Sequence, residues 1–147
     1  MDAAGQSLAV HFHNLDLPPE AGQWLLDVWQ LIQTLDDMAD GDAVSRDDLN
    51  ATIWAALITM PANPFYLANA AALQSGLATL VLKWQASDDA ERQGKADARS
   101  YMWRAGYYDL ILLVVLLTKG HATAMRSAMT VMHLYGETLH EYLKEFS

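Results

Sequence analysis

Residues 35–42, LDDMADGD, hold four aspartates: Asp36, Asp37, Asp40 and Asp42. On a helix Asp36 and Asp40 stand four residues apart and Asp37 and Asp40 three apart, so three carboxylates can converge beside one turn. Such a set suits a small oxygen-liganded cation. Mg2+ fits best, because it takes one or two carboxylates and completes its shell with water and phosphate oxygens. The chain has no cysteine, which favours hard cations over soft ones. Exposed carbonyls at a helix C-terminus carry partial negative charge, so acids gathered there are destabilising unless a cation or basic partner meets them.

Asp109 is the other acid that could do chemistry, since no other charge occurs from Ala105 to Thr118. A carboxylate buried in that run must be paired, protonated or metal-bound. Two placements follow: opposite Asp36 and Asp40 as a further metal ligand, or bonded to Arg104, Tyr107, Tyr108 or a helix start. Lys83, Arg92, Lys95, Arg99 and Arg104 are the cations that could meet a diphosphate. Lys95 and Arg99 stand four apart on the way to Asp109 and form an anion clamp if they share a helix face; otherwise they are solvated. His11 and His13 alternate with apolar neighbours; a pair two apart can bind metal, but the two read better as solvent-facing. Glu137 and His140 form one ExxH, with His133 a turn earlier, whereas di-iron bundles use two copies and two further glutamates. A surface histidine–glutamate pair is the expectation there.

The elements that must position these groups are helical. Pro18 and Pro19 fit a first turn, and Ala21, Trp24, Leu25, Val28, Leu31, Ile32, Leu35 and Ala39 then recur at helical spacing. Gly41 ends that helix. Ser45 with Asp48 predicts the next start, and Asn63-Pro64 the one after, opening an almost wholly apolar helix over 64–85. That third helix is expected to be central and surrounded. Ser87, Asp88 and Asp89 predict a fourth start, for a helix continuing to Lys119 with Gly120 as its stop. A fifth is expected over 122–146. Residues 1–17 read as an N-terminal arm, extended against the body, and 18–147 as a single all-α bundle of about five helices.

Composition narrows the function classes. A formal charge of −9 argues against wrapping phosphate backbones, so nucleic acid is not an expected partner. Residues 1–10 lack the regions of a secretory signal, and the longest uncharged apolar run, Leu110 to Leu117, is short of a membrane span. A cytoplasmic protein is expected. With 52% hydrophobic and 18% charged residues, the chain has too little polar residue to cover every helix, so either one helix is buried all round or some apolar surface meets a partner chain.

The phrase LDDMADGD, with its DDxxD at a helix end, resembles the first motif of the class I isoprenoid (terpenoid) synthases, above all squalene/phytoene-synthase-like proteins. The resemblance implies that Asp36 and Asp40 hold Mg2+ that binds an allylic diphosphate, with Asp37 a weaker ligand. It covers only the residues around this motif, and the chain has no second DDxxD. YYDLILLVVLL around Asp109 resembles the second metal helix of MazG-like all-α nucleoside triphosphate pyrophosphohydrolases, with Gly106 where that helix carries a glutamate. Both families would use two acidic helices and a divalent ion. Half the length of an isoprenoid synthase implies a homodimer completing one helical core. The expected function is therefore a metal site on Asp36, Asp37, Asp40 and Asp109, with Lys95 and Arg99 facing a diphosphate. The alternative is a non-enzymatic helical module for interaction or oligomerisation. Whether the chain is an enzyme stays open.

Overall fold

The structure, a computed structural model, describes residues 3–147. It is all-α: among the described residues eight helices have six residues or more, and no strand occurs. The chain gathers into two compact units, one running to Ala70 and one from Ala71 to Ser147.

The first unit opens with α1 (Ala3–Asn14), which buries Leu8 and Phe12. The reading of this segment as extended is thereby corrected; Leu8 and Phe12, four apart, mark one helical face. Helix α2 (Pro19–Ala39) starts as its prolines predict and buries Ala21, Trp24, Leu25 and Val28. Beyond that the apolar stripe surfaces: Leu35 is exposed, and the buried residue of the last turns is Thr34. Helix α3 (Arg46–Trp54) has Ser45 as its N-cap, the Oγ accepting from Asp48 N at 3.0 Å. The Thr52 hydroxyl donates to Thr34 Oγ1 at 3.2 Å in a buried contact that fixes α3 on α2. A π turn (Ala55–Thr59) follows, then α4 (Met60–Ala62) and α5 (Pro64–Ala68). Asn63 caps α5, accepting from Phe65 N and Tyr66 N, while its Nδ2 donates to Glu20 O at 3.0 Å. That one amide joins α5 to the start of α2.

The π turn has a physical reason. Thr52 and Met60 are both buried, yet eight residues apart they would point about 80° away from each other on a regular helix. One residue absorbed in a wider turn brings them back to the same side.

The second unit comprises α6 (Ala70–Arg92), α7 (Ala98–Trp103), α8 (Gly106–Lys119), α9 (His121–Met132) and α10 (Leu139–Glu145). Helix α8 is its core, burying Tyr107, Tyr108, Leu110, Ile111, Val114 and Val115. Gly106 lets α8 approach α6 closely, since a Cβ there would stand 3.3 Å from the Leu80 Cα. By length and the mean hydropathy of 1.2 of an 18-residue window, residues 98–119 pass as a membrane span, but the turn at Arg104 divides them and 44% of that window is buried inside the protein. Gly120, at φ 84°, turns the chain into α9.

Several expectations are corrected here. The apolar helix is not central: α6 buries only Leu73, Leu80 and Ser87, and Leu82 is 65% exposed. Ser87, Asp88 and Asp89 lie inside α6 rather than at a start, because Ser87 finds a buried partner and Arg92 pairs with both aspartates. The start falls at Asp97, which forms a capping box with Ser100. The last helix breaks after Met132 and restarts at Thr138, whose capping box with Glu141 opens α10. Eight helices replace five because turns at 104–105 and 133–138 each divide one of the two longest expected ones, and residues 3–14 add a helix where an extended arm is expected.

Candidate functional site

The four aspartates sit where their sequence places them, at the end of α2. Asp40 is the C-cap, Gly41 adopts φ 76°, and Gly41 N and Asp42 N donate to Met38 O and Asp37 O at 3.2 and 2.9 Å. This Schellman closure covers two of the carbonyls that would otherwise repel the acids. Asp37, Asp40 and Asp42 are exposed and Asp36 is half-buried. No basic residue lies in the last turn. Among the described residues, no group of three or more histidines, aspartates or glutamates is placed to hold a metal ion.

Asp109 belongs to the second unit, in the first turn of α8, where a carboxylate suits the helix dipole. It is not buried: its side chain is 52% exposed and its Oδ2 stands 2.5 Å from Lys83 Nζ. Its ion-pair partner is not Arg104, Tyr107 or Tyr108; the cation comes from α6. Asp109 edges a groove of about 440 Å³ between α6 and α8, lined by Ala72, Gly76, Thr79, Gly106 and Leu113 among others. Ser75 and Thr79 donate back to carbonyls one turn earlier, which leaves the groove wall largely apolar.

Lys95 and Arg99 do not share a helix face. Lys95 lies in the turn after Gly94, its backbone N–H closing on Ala90 O, whereas Arg99 is in the first turn of α7. Arg99 Nε and Nη2 both bond Asp97 Oδ2, at 3.0 and 2.8 Å, and this contact holds the Asp97 carboxyl below its ordinary value. The expected anion clamp is therefore not assembled: the turn separates the two cations and Asp97 occupies Arg99. His11 and His13 lie on α1, His13 exposed; His133 and His140 are exposed as expected.

Two features carry no sequence signal. The first is a polar cluster within the second unit. Tyr142, fully buried, donates from its OH to Glu91 Oε2 at 2.8 Å and stands 2.7 Å from Ser100 Oγ. Ser87 Oγ donates to Ser100 O at 2.9 Å, and the Arg104 guanidinium lies 5.2 Å over the Tyr142 ring with Nη1 3.5 Å from Glu91 Oε2. Its members satisfy one another and pin α10 to α6 and α7. Stacked rings of Tyr101 and Tyr135, 4.9 Å apart, extend it. Only the proximity of residues up to 51 positions apart assembles this cluster.

The second is Asp27 on α2. Its Oδ1 accepts from Gln23 at 3.0 Å, while Oδ2 is enclosed without a hydrogen-bond partner, as is the Nε1 of fully buried Trp24. Burial pushes the Asp27 carboxyl above its ordinary value.

Comparison with protein-family models, with curated proteins and with solved structures returns no match.

Proposed function

We propose that this protein is a helical interaction module that associates with itself through exposed apolar helix faces. One observation carries the reading: large apolar side chains stand in solvent at neighbouring helical positions. Trp54 and Leu57 are 63% and 70% exposed, and Met129, between Met125 and Met132 on one face of α9, is 72% exposed. Scattered surface leucines need no explanation, whereas contiguous apolar patches mark binding surfaces. The low charge content supports the same reading. The test is sedimentation equilibrium of the full chain across the micromolar range. Concentration-dependent association that weakens when the exposed apolar residues are made polar supports it, and a monomer throughout the range sinks it.

A divalent-cation site on Asp36, Asp37 and Asp40, in an isoprenoid-synthase-like scaffold acting on a diphosphate, is the second reading. It is supported by the three acids gathered at the last turn of α2. Its test is the thermal midpoint with Mg2+ or Mn2+, with and without inorganic pyrophosphate, in the wild type and in the Asp36→Ala/Asp40→Ala variant. A ligand that binds only the folded chain raises that midpoint. A rise confined to the wild type supports the site; no shift in either protein removes it. The MazG-like alternative is less favoured, because Asp109 is engaged by Lys83 and the preceding turn supplies Gly106 rather than a second carboxylate.

A further inference from the structure

Residues 49–82 contain no Asp, Glu, Lys, Arg or His, although the whole chain carries a formal charge of −9. Two copies of so acidic a chain repel each other over most of their surfaces, and the repulsion is least where a face has no charge of its own. Within this stretch, α3 and the π turn expose Ile53, Trp54, Leu57 and Ile58 together. Regular α-helix would spread eight residues differently; the π turn keeps Thr52 and Met60 inward and leaves these four outward.

We propose that a second copy of this chain docks on this face, the two uncharged surfaces meeting about a two-fold axis. The proposal deepens the self-association reading above and rests on it. Three observations select this occupant. The four side chains carry no charge with which to recognise a charged partner, and the charges of their own helix, Arg46, Asp47 and Asp48, are confined to its first turn, so a second copy meets less repulsion here than over the charged surfaces. The face is also self-complementary in chemistry, apolar against apolar, as an isologous contact requires. Finally, the four side chains present on the order of 400 Å² of apolar surface. Pairing them in two copies hides roughly 800 Å², close to the roughly 1,000 Å² of a specific interface. Trp54 at the centre is the residue type most often dominant in such contacts.

The experiment is sedimentation equilibrium on the full chain, comparing wild type, Leu57→Glu, Trp54→Gln and Met129→Glu, with far-UV circular dichroism and thermal melts reporting the fold. The altered positions are exposed, so circular dichroism is expected to stay unchanged, and the melting midpoint to fall by no more than loss of the dimer produces. Trp54→Gln adds no charge and guards against an unfolding artefact of Leu57→Glu. The expected result is a wild-type dimer, weakened roughly 100-fold by Leu57→Glu and at least tenfold by Trp54→Gln, and unaffected by Met129→Glu. Added salt should tighten the wild-type dimer, since it screens like-charge repulsion and there are no attractive charges to screen. A dimer indifferent to Leu57→Glu and Trp54→Gln but broken by Met129→Glu overturns this face and leaves the self-association reading standing. Weakening by salt overturns it as well, because that sign requires charge-complementary contact. A wild-type monomer overturns both.

Discussion

Lys83 Nζ stands 2.5 Å from Asp109 Oδ2, tying the second half of α6 to the first turn of α8. The two side chains are 33% and 52% exposed, so water screens their attraction, and such pairs contribute about 0–1 kcal/mol. Asp109→Asn is expected to lower the unfolding free energy by less than about 1 kcal/mol and to leave any Mg2+-induced thermal shift intact. Urea denaturation with and without the metal checks both. A vanished metal shift in this variant would show Asp109 working as a ligand.

Tyr142 is the opposite case. Its hydroxyl is buried between Ser100 and Glu91, and Tyr142→Phe keeps the ring but leaves both without this partner. The expected cost is about 1–3 kcal/mol in urea denaturation, because enclosed polar groups lose hydrogen bonds that water does not replace. A cost indistinguishable from zero would mean that α10 is not held by this cluster.

Two glycines separate close packing of backbones from contact of flexible side chains. A Cβ at Gly106 meets the Leu80 Cα at 3.3 Å, so the helices themselves must move, and Gly106→Ala is expected to cost about 1–3 kcal/mol. A Cβ at Gly76 comes nearer, 2.8 Å from Leu113 Cδ2, but there a leucine tip can rotate away. Alanine is also the better helix former by about 1 kcal/mol, so Gly76→Ala is expected to lie within about 1 kcal/mol of wild type. Thermal unfolding of the two variants, side by side, checks the order.

Asp27 makes stability depend on pH. Its folded value is raised above the ordinary 3.8 by burial, so between these values the folded chain holds more protons than the unfolded one. Stability from this group is then greatest below the ordinary value and falls as pH rises toward and through the raised one. Asp27→Asn removes the titration. Relative to wild type, the variant should gain stability from about pH 4 to pH 7, by less than about 1 kcal/mol because the carboxyl is partly solvated. A difference that stays flat over that range would contradict the assignment.

What lies within one turn of chain was legible in the residues. Ser45 and Asn63 cap where they are expected to, Pro19 opens α2, and Gly41 and Gly120 close α2 and α8. Ala21, Trp24, Leu25 and Val28 are inward as their spacing predicts, and the all-α class follows from these signals. Each depends on backbone donors, carbonyls and torsions a few residues away, which the sequence states directly. The acidic end of α2 was legible for the same reason.

The tertiary structure alone decided which apolar faces became core. An alanine- and leucine-rich helix reads the same whether it is surrounded or exposed; in the second unit α8 had neighbours enough to be buried along most of its length, while α6 kept Leu82 in solvent. Asp109 drew its partner from Lys83, 26 residues away, and Glu91 met Tyr142 across 51. Such pairings depend on how helices pack once formed, and local periodicity carries no record of the distance between them.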